Sequence, residues 1–156
     1  MLFMGGNKKV KFTVLTGILF LVYLAIILRL LIFRDSAAIL ATARENFVPF
    51  KTIFNYLSNS PTLGIAIRNL LGNIMIFIPL GFFVPLLCRS TKWKTVLVIG
   101  FIASLIMETV QGVFRVGIFD VDDILLNMFG TIFGYGTFVY LKLMIKSIYR
   151  LNGRIF

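Results

Sequence analysis

The chain has 156 residues, 59% of them hydrophobic, with a formal net charge of +10 and no histidine. Without histidine a Ser-His-Asp triad is impossible and the commonest metal ligand is missing; the single cysteine, Cys88, excludes an intramolecular disulfide and a zinc cluster. A mean hydropathy of +0.97 and several long apolar stretches indicate one membrane domain over residues 1–156, and the basic residues sit at the ends of those stretches instead of forming the single stripe that nucleic acid would require.

The first predicted span is Phe12 to Phe33, about 22 residues and long enough to cross a bilayer. Lys8, Lys9 and Lys11 precede it as in a signal peptide, but the apolar region is too long for a cleaved signal and no A-x-A site follows, so a retained anchor is expected. The loop from Arg34 to Arg68 comes next. In it Phe50, Ile53, Phe54 and Leu57 recur at helical spacing with Lys51, Asn55 and Ser58 between them. This predicts a short helix, either lying in the membrane interface or packing over the top of the bundle. The second span is Asn69 to Cys88, with its helix reaching back as far as Thr62 and with Ser60 and Pro61 as an N-cap and first-turn pair. Pro79 and Pro85 lie inside it, and a kink is expected at Pro79. Thr95 to Val113 is the third span and Ile124 to Ile145 the fourth. The expected fold is an all-α bundle of four transmembrane helices. No internal repeat, linker or low-complexity segment interrupts it.

Charge orients the bundle. With a cytoplasmic N-terminus, the inner side holds Lys8, Lys9, Lys11, Arg89, Lys92, Lys94, Lys142, Lys146, Arg150 and Arg154, ten of the sixteen basic residues. The outer side holds Arg29, Arg34, Arg44, Lys51, Arg68 and Arg115, and all six acidic residues, Asp35, Glu45, Glu108, Asp120, Asp122 and Asp123. This matches the positive-inside rule and predicts both termini in the cytoplasm of a multi-pass cell-membrane protein.

The polar residues then converge at the outer end. An ionisable side chain at the centre of a span costs on the order of 2.5–3.5 kcal/mol on insertion scales, so each is a candidate functional residue. Glu108, Gln111 and Arg115 share one helical face of span three, with Glu108 roughly 8 Å below the outer surface at a helical rise of about 1.5 Å per residue. Asp123, Asn127, Gly130 and Gly134 share one face of span four, and span two brings Arg68, Asn69, Gly72 and Asn73 from the same side. Plainer roles compete. Gly130-x-x-x-Gly134 reads first as helix packing, Asn69 and Asn73 as inter-helix bridges, and Asp120, Asp122 and Asp123 as a solvated loop with Asp122 or Asp123 capping span four. Glu108 with Arg115 or Arg68 would form a structural ion pair if it did not form a site. Asp120-x-Asp122-Asp123 with Asn127 offers oxygen ligands to a cation but lacks the spacing of an EF-hand loop, so no metal and no cofactor is assigned.

In order and spacing these residues resemble the VanZ-like family, whose named member is a teicoplanin-resistance protein. The pattern is Asn46-Phe-Val-Pro49-Phe50, Asn69-x-x-Gly72-Asn73, Phe77-x-Pro79-x-Gly81, Glu108-x-x-Gln111, Arg115, Asp120, Asp122-Asp123, Asn127-x-x-Gly130 and Gly134, and it covers about residues 46–136. The resemblance implies a bacterial multi-pass membrane protein linked to low-level resistance to lipid-bearing glycopeptides. It supplies no biochemical mechanism.

Three functions fit the residues. In the first, an outer pocket of Arg68, Asn69, Asn73, Glu108, Gln111, Arg115, Asp120, Asp123 and Asn127 engages a membrane lipid head group, a lipid-linked envelope precursor or an amphiphilic antibiotic. In the second, the protein is a small membrane enzyme acting on such a lipid, with Glu108 or Asp123 as catalytic acid or base and an arginine holding phosphate. In the third it is an assembly partner that packs through its glycine faces. The sequence leaves the ligand and the oligomeric state open.

Overall fold

The structure is a computed structural model that describes residues 6–32, 45–88 and 92–152. It contains α1 (Gly6–Ile32), α2 (Lys51–Asn59), α3 (Leu63–Leu87), α4 (Trp93–Val113) and α5 (Val121–Asn152), with no strand among the described residues. Four of these helices, all but α2, are long and apolar enough to cross a membrane. Each predicted span falls within one long helix or ends within a residue of it. Of the charges used to orient the chain, Arg34, Asp35, Arg44, Arg89 and Arg154 lie outside the described residues, as does Phe33.

The caps correct two sequence expectations. Helix α3 starts after Thr62, whose extended backbone and hydroxyl accept the Ile65 N–H, while Ser60 closes α2 instead of opening α3. Helix α5 starts earlier than expected. Asp120, not Asp122 or Asp123, turns its side chain onto the first turn, where Oδ1 accepts the Asp122 N–H at 2.8 Å. Helix α3 continues through Pro79 and Pro85.

Helices α3 and α5 run parallel and form the tightest contact. A Cβ on Gly130 would stand 2.1 Å from the Ile74 carbonyl oxygen, and one on Gly134 would stand 1.9 Å from that of Ile78. Nothing larger than glycine fits at either position without separating the helices, so Gly130-x-x-x-Gly134 is a packing face. Helix α4 runs antiparallel beside α5 and brings Gly100 against the Thr131 side chain. Helix α1 is peripheral and antiparallel to α3. It is held by the Tyr23 hydroxyl, which donates to the Ile76 carbonyl at 2.8 Å, and by the rings of Phe20 and Tyr23 against Phe83.

Burial is inverted relative to a water-soluble bundle. The largest fully buried side chains include Glu108, Asn127, Thr131, Asp122 and Ser104, whereas Val14, Ile18, Phe101, Ile106, Phe133 and Leu143 are exposed. The apolar core is small: Phe77, Leu80, Val84 and Val96, away from the Asp120 end. A bundle that turns hydrocarbon outward and satisfies its polar groups inside is built for lipid surroundings.

Candidate functional site at the acidic end of the bundle

The α4–α5 register organises the site. Thr131 lies against Gly100, Asn127 Nδ2 donates to the Ser104 hydroxyl at 2.9 Å, and Phe119 approaches Gly112. Each step is one helical turn, so the same register sets Glu108 opposite Asp123. Glu108 is 1% exposed, and its Oε2 accepts the backbone N–H of Asp120 at 3.1 Å. Asp123, half-buried, accepts a hydrogen bond from Asn73 Nδ2 and so ties α5 to α3. Gln111 is buried beside Gly117, and its carbonyl accepts the N–H groups of Val116 and Gly117, folding the α4–α5 turn over the top.

A second layer of bonds joins this end to the segment before α2. Asn46 pairs by its backbone with Phe119 and Val121, at 2.9 and 3.0 Å. Its Nδ2 donates to Asp120 Oδ1 at 2.8 Å and to the Thr52 hydroxyl at 3.1 Å. Asp122, fully buried, reaches across to α2. Its Oδ1 accepts the Phe50 N–H, and its Oδ2 accepts those of Thr52 at 2.7 Å and Ile53 at 3.1 Å. Two helix N-termini, those of α2 and α5, therefore meet the aspartates with their positive dipole ends. This arrangement brings backbone N–H donors to the clustered carboxylates.

Of the predicted site residues, Arg68 and Arg115 stand apart. Arg68 and Asn69 are exposed near the start of α3. Arg115 is also exposed, and no ion pair among the described residues joins it to Glu108. The reason is local: α4 stops at Val113, and Arg115 takes a left-handed backbone with φ 53°, so the helical face that would align it with Glu108 no longer exists. Of the predicted site residues, Asn73, Glu108, Asp120, Asp123 and Asn127 share one bonded end of the bundle with Gln111 folded over it, and Arg68, Asn69 and Arg115 fringe it. Sequence reasoning read Asp122 as a solvated-loop residue, a cap of span four or a weak cation ligand, left it out of the binding pocket, and passed over Ser104 and Thr131. The hydroxyls left no signal in an apolar run, but Asp122, two residues after the capping Asp120, could have been read as a first-turn carboxylate.

Among the described residues, one buried polar side-chain atom is left over. Asn127 Oδ1 has no hydrogen-bond partner, although the residue is fully buried. A buried acceptor without a donor costs on the order of 1–3 kcal/mol, so a fold keeps one where something else is gained.

A bundle of four long apolar helices with polar and carboxylate side chains buried at one end is the architecture of a multi-span membrane protein. The VanZ/LLP1 family model matches residues 20–144, and the chain belongs to that family. No curated protein and no solved structure matches it.

Proposed function

We propose that the acidic end of the bundle faces outward from a bacterial cell membrane and engages the polar head of an amphiphile, whether a lipid, a lipid-linked envelope precursor or a lipid-bearing glycopeptide. One observation carries the reading. Glu108 and Asp123 stand opposite each other in register, with Asn73 and the unpartnered Asn127 Oδ1 beside them, below the exposed Arg68 and Arg115. The arginines offer planar donors suited to phosphate or carboxylate at the surface, and the buried carboxylates and amides suit a cationic or hydroxylated group below. Charge supports the orientation: Lys11, Lys92, Lys94, Lys142, Lys146 and Arg150 all lie toward the opposite end, where positive-inside bias places the cytoplasm.

The opposed carboxylates favour a second reading, a membrane enzyme that uses Glu108 or Asp123 as acid or base on a lipid substrate. The test for both is survival under a lipoglycopeptide at matched membrane protein level. Arg115→Ala and Arg115→Lys are expected to abolish the protection, since an ammonium does not replace the planar fork, while Lys146→Ala leaves it intact. Full protection in Arg115→Lys overturns the head-group role. Total loss in Glu108→Gln and Asp123→Asn, with the fold intact, favours the enzyme, and partial loss favours binding. Loss of protein level instead would mark both residues as structural.

A further inference from the structure

Helix α2 combines three features that have no common explanation in water. First, its surface is divided into three stripes. Thr52, Ile53, Tyr56 and Ser60 face the bundle, half-buried, and Asn55, Ser58 and Asn59 form an exposed polar stripe. Between them, Phe50, Phe54 and Leu57 form an apolar stripe that continues into Phe47 and Val48, and these five side chains are 54–66% exposed. An apolar surface of this kind at the end of a bundle is anomalous if water covers it.

Second, the backbone at the start of α2 is fully provided for. The Val48 N–H donates to Asn46 Oδ1, Pro49 has none, Lys51 donates to the Val48 carbonyl, and Phe54 donates to that of Phe50. The N–H groups of Phe50, Thr52 and Ile53 all end on the buried Asp122 carboxylate. Every backbone donor from Val48 to Phe54 thus has an acceptor inside the protein. A helix start bathed in water needs no such provision, because water satisfies its first-turn donors; a helix start withdrawn from water does. Phe50 is held at φ 66°, an unusual backbone for a bulky residue, and that conformation aims its N–H at Asp122.

Third, Lys51 is the only charged residue between Asn46 and Ile67. Soon after it in the chain, Leu63, Ile67 and Leu71 of α3, a helix long and apolar enough to cross a membrane, are exposed as well.

We infer that the segment from Phe47 to Leu57 is seated in the lipid surface, with its apolar stripe among the acyl chains and its polar stripe toward water, and that Asp122 is the internal cap that replaces water at the start of α2. The occupant of the stripe is lipid, not a second protein. Nine residues of helix are too few to cross a bilayer, and enough to lie in its interface. The inference does not depend on which leaflet is concerned, nor on the ligand reading above.

The test uses the full chain in vesicles of phosphatidylethanolamine and phosphatidylglycerol, with Cys88→Ser as background and a nitroxide attached at Phe54→Cys or Asn55→Cys. Relaxation by oxygen reports hydrocarbon, and relaxation by a water-soluble nickel chelate reports water. The expected result is a several-fold higher oxygen-to-nickel ratio at position 54 than at its neighbour 55. Equal ratios, or a label at position 54 shielded from both reagents as by packed protein, overturn the lipid seat. With Asp122→Asn, the amide opposes its own donors to those of α2, and the label at position 54 should become more mobile and lose its oxygen preference. An unchanged label overturns the role of Asp122. If that variant does not fold, amide exchange at Phe50, Thr52 and Ile53 in the unaltered chain decides: protection supports the cap, and free exchange overturns it. Depth is read without any head-group ligand, so failure of the ligand reading leaves this result standing.

Discussion

The two ends of this bundle are held together by different physics. Toward the end where α3 finishes and α4 begins, Phe77, Leu80, Val84 and Val96 pack with Phe20, Tyr23 and Tyr135 around them. In lipid, such side chains gain little by leaving one hydrocarbon for another, so their contribution is shape fit. At the acidic end Asn46, Glu108, Asp120, Asp122, Asp123 and Asn127 are joined to backbone and side-chain partners across four segments. There the alternative to pairing is a polar group in hydrocarbon, and pairing is nearly obligatory. The apolar end can loosen gradually, whereas the acidic end is made or broken as a unit.

Asp122→Ala attacks that unit most directly. It orphans three backbone donors, each costing on the order of 1–3 kcal/mol when left buried. We expect a loss of about 3 kcal/mol or more in detergent unfolding, together with increased proteolysis between Asn46 and Asn59. A loss comparable to that of one surface bond would end the contrast between the two ends. Gly134→Ala tests the glycine contact that runs between them. Its methyl group would overlap the Ile78 carbonyl, and overpacking of this kind costs about 1–3 kcal/mol, read as a lower unfolding midpoint. An unchanged midpoint would show α3 and α5 free to separate. The smallest effect belongs to the apolar end. Tyr23→Phe removes one hydrogen bond to the Ile76 carbonyl and should cost about 0.5–1.5 kcal/mol, loosening α1 without disturbing the Asp120 end.

Much of this was legible in the chain. Four spans follow from apolar length and basic flanks, and Phe50, Ile53, Phe54 and Leu57 announce α2 by their spacing. The burial of Glu108 and Gln111 also follows from helical period, because both lie inside α4. Arg115 shows where that reasoning ends. Extending the same face by another turn assumed a helix that stops at Val113. Asp122 shows a different limit. Its partners lie about 70 residues away, and no local pattern distinguishes a carboxylate that caps a remote helix from one that faces water.

That separation has a consequence for how the chain is made. Residues are delivered to the membrane in order, and the segment from Phe47 to Asn59 emerges well before Asp122 does. Until α5 begins, the donors of Phe50, Thr52 and Ile53 have no cap, and the half-register of Gly100, Ser104 and Glu108 on α4 has no counterpart. Helix α5 is thus a closing piece for this bundle: its arrival supplies the missing carboxylate to α2, the missing amide to Ser104 and the glycine face to α3. A chain lacking everything from Val121 onward would hold three apolar helices and an unfinished surface, with the donors of α2 and the register of α4 still without these partners.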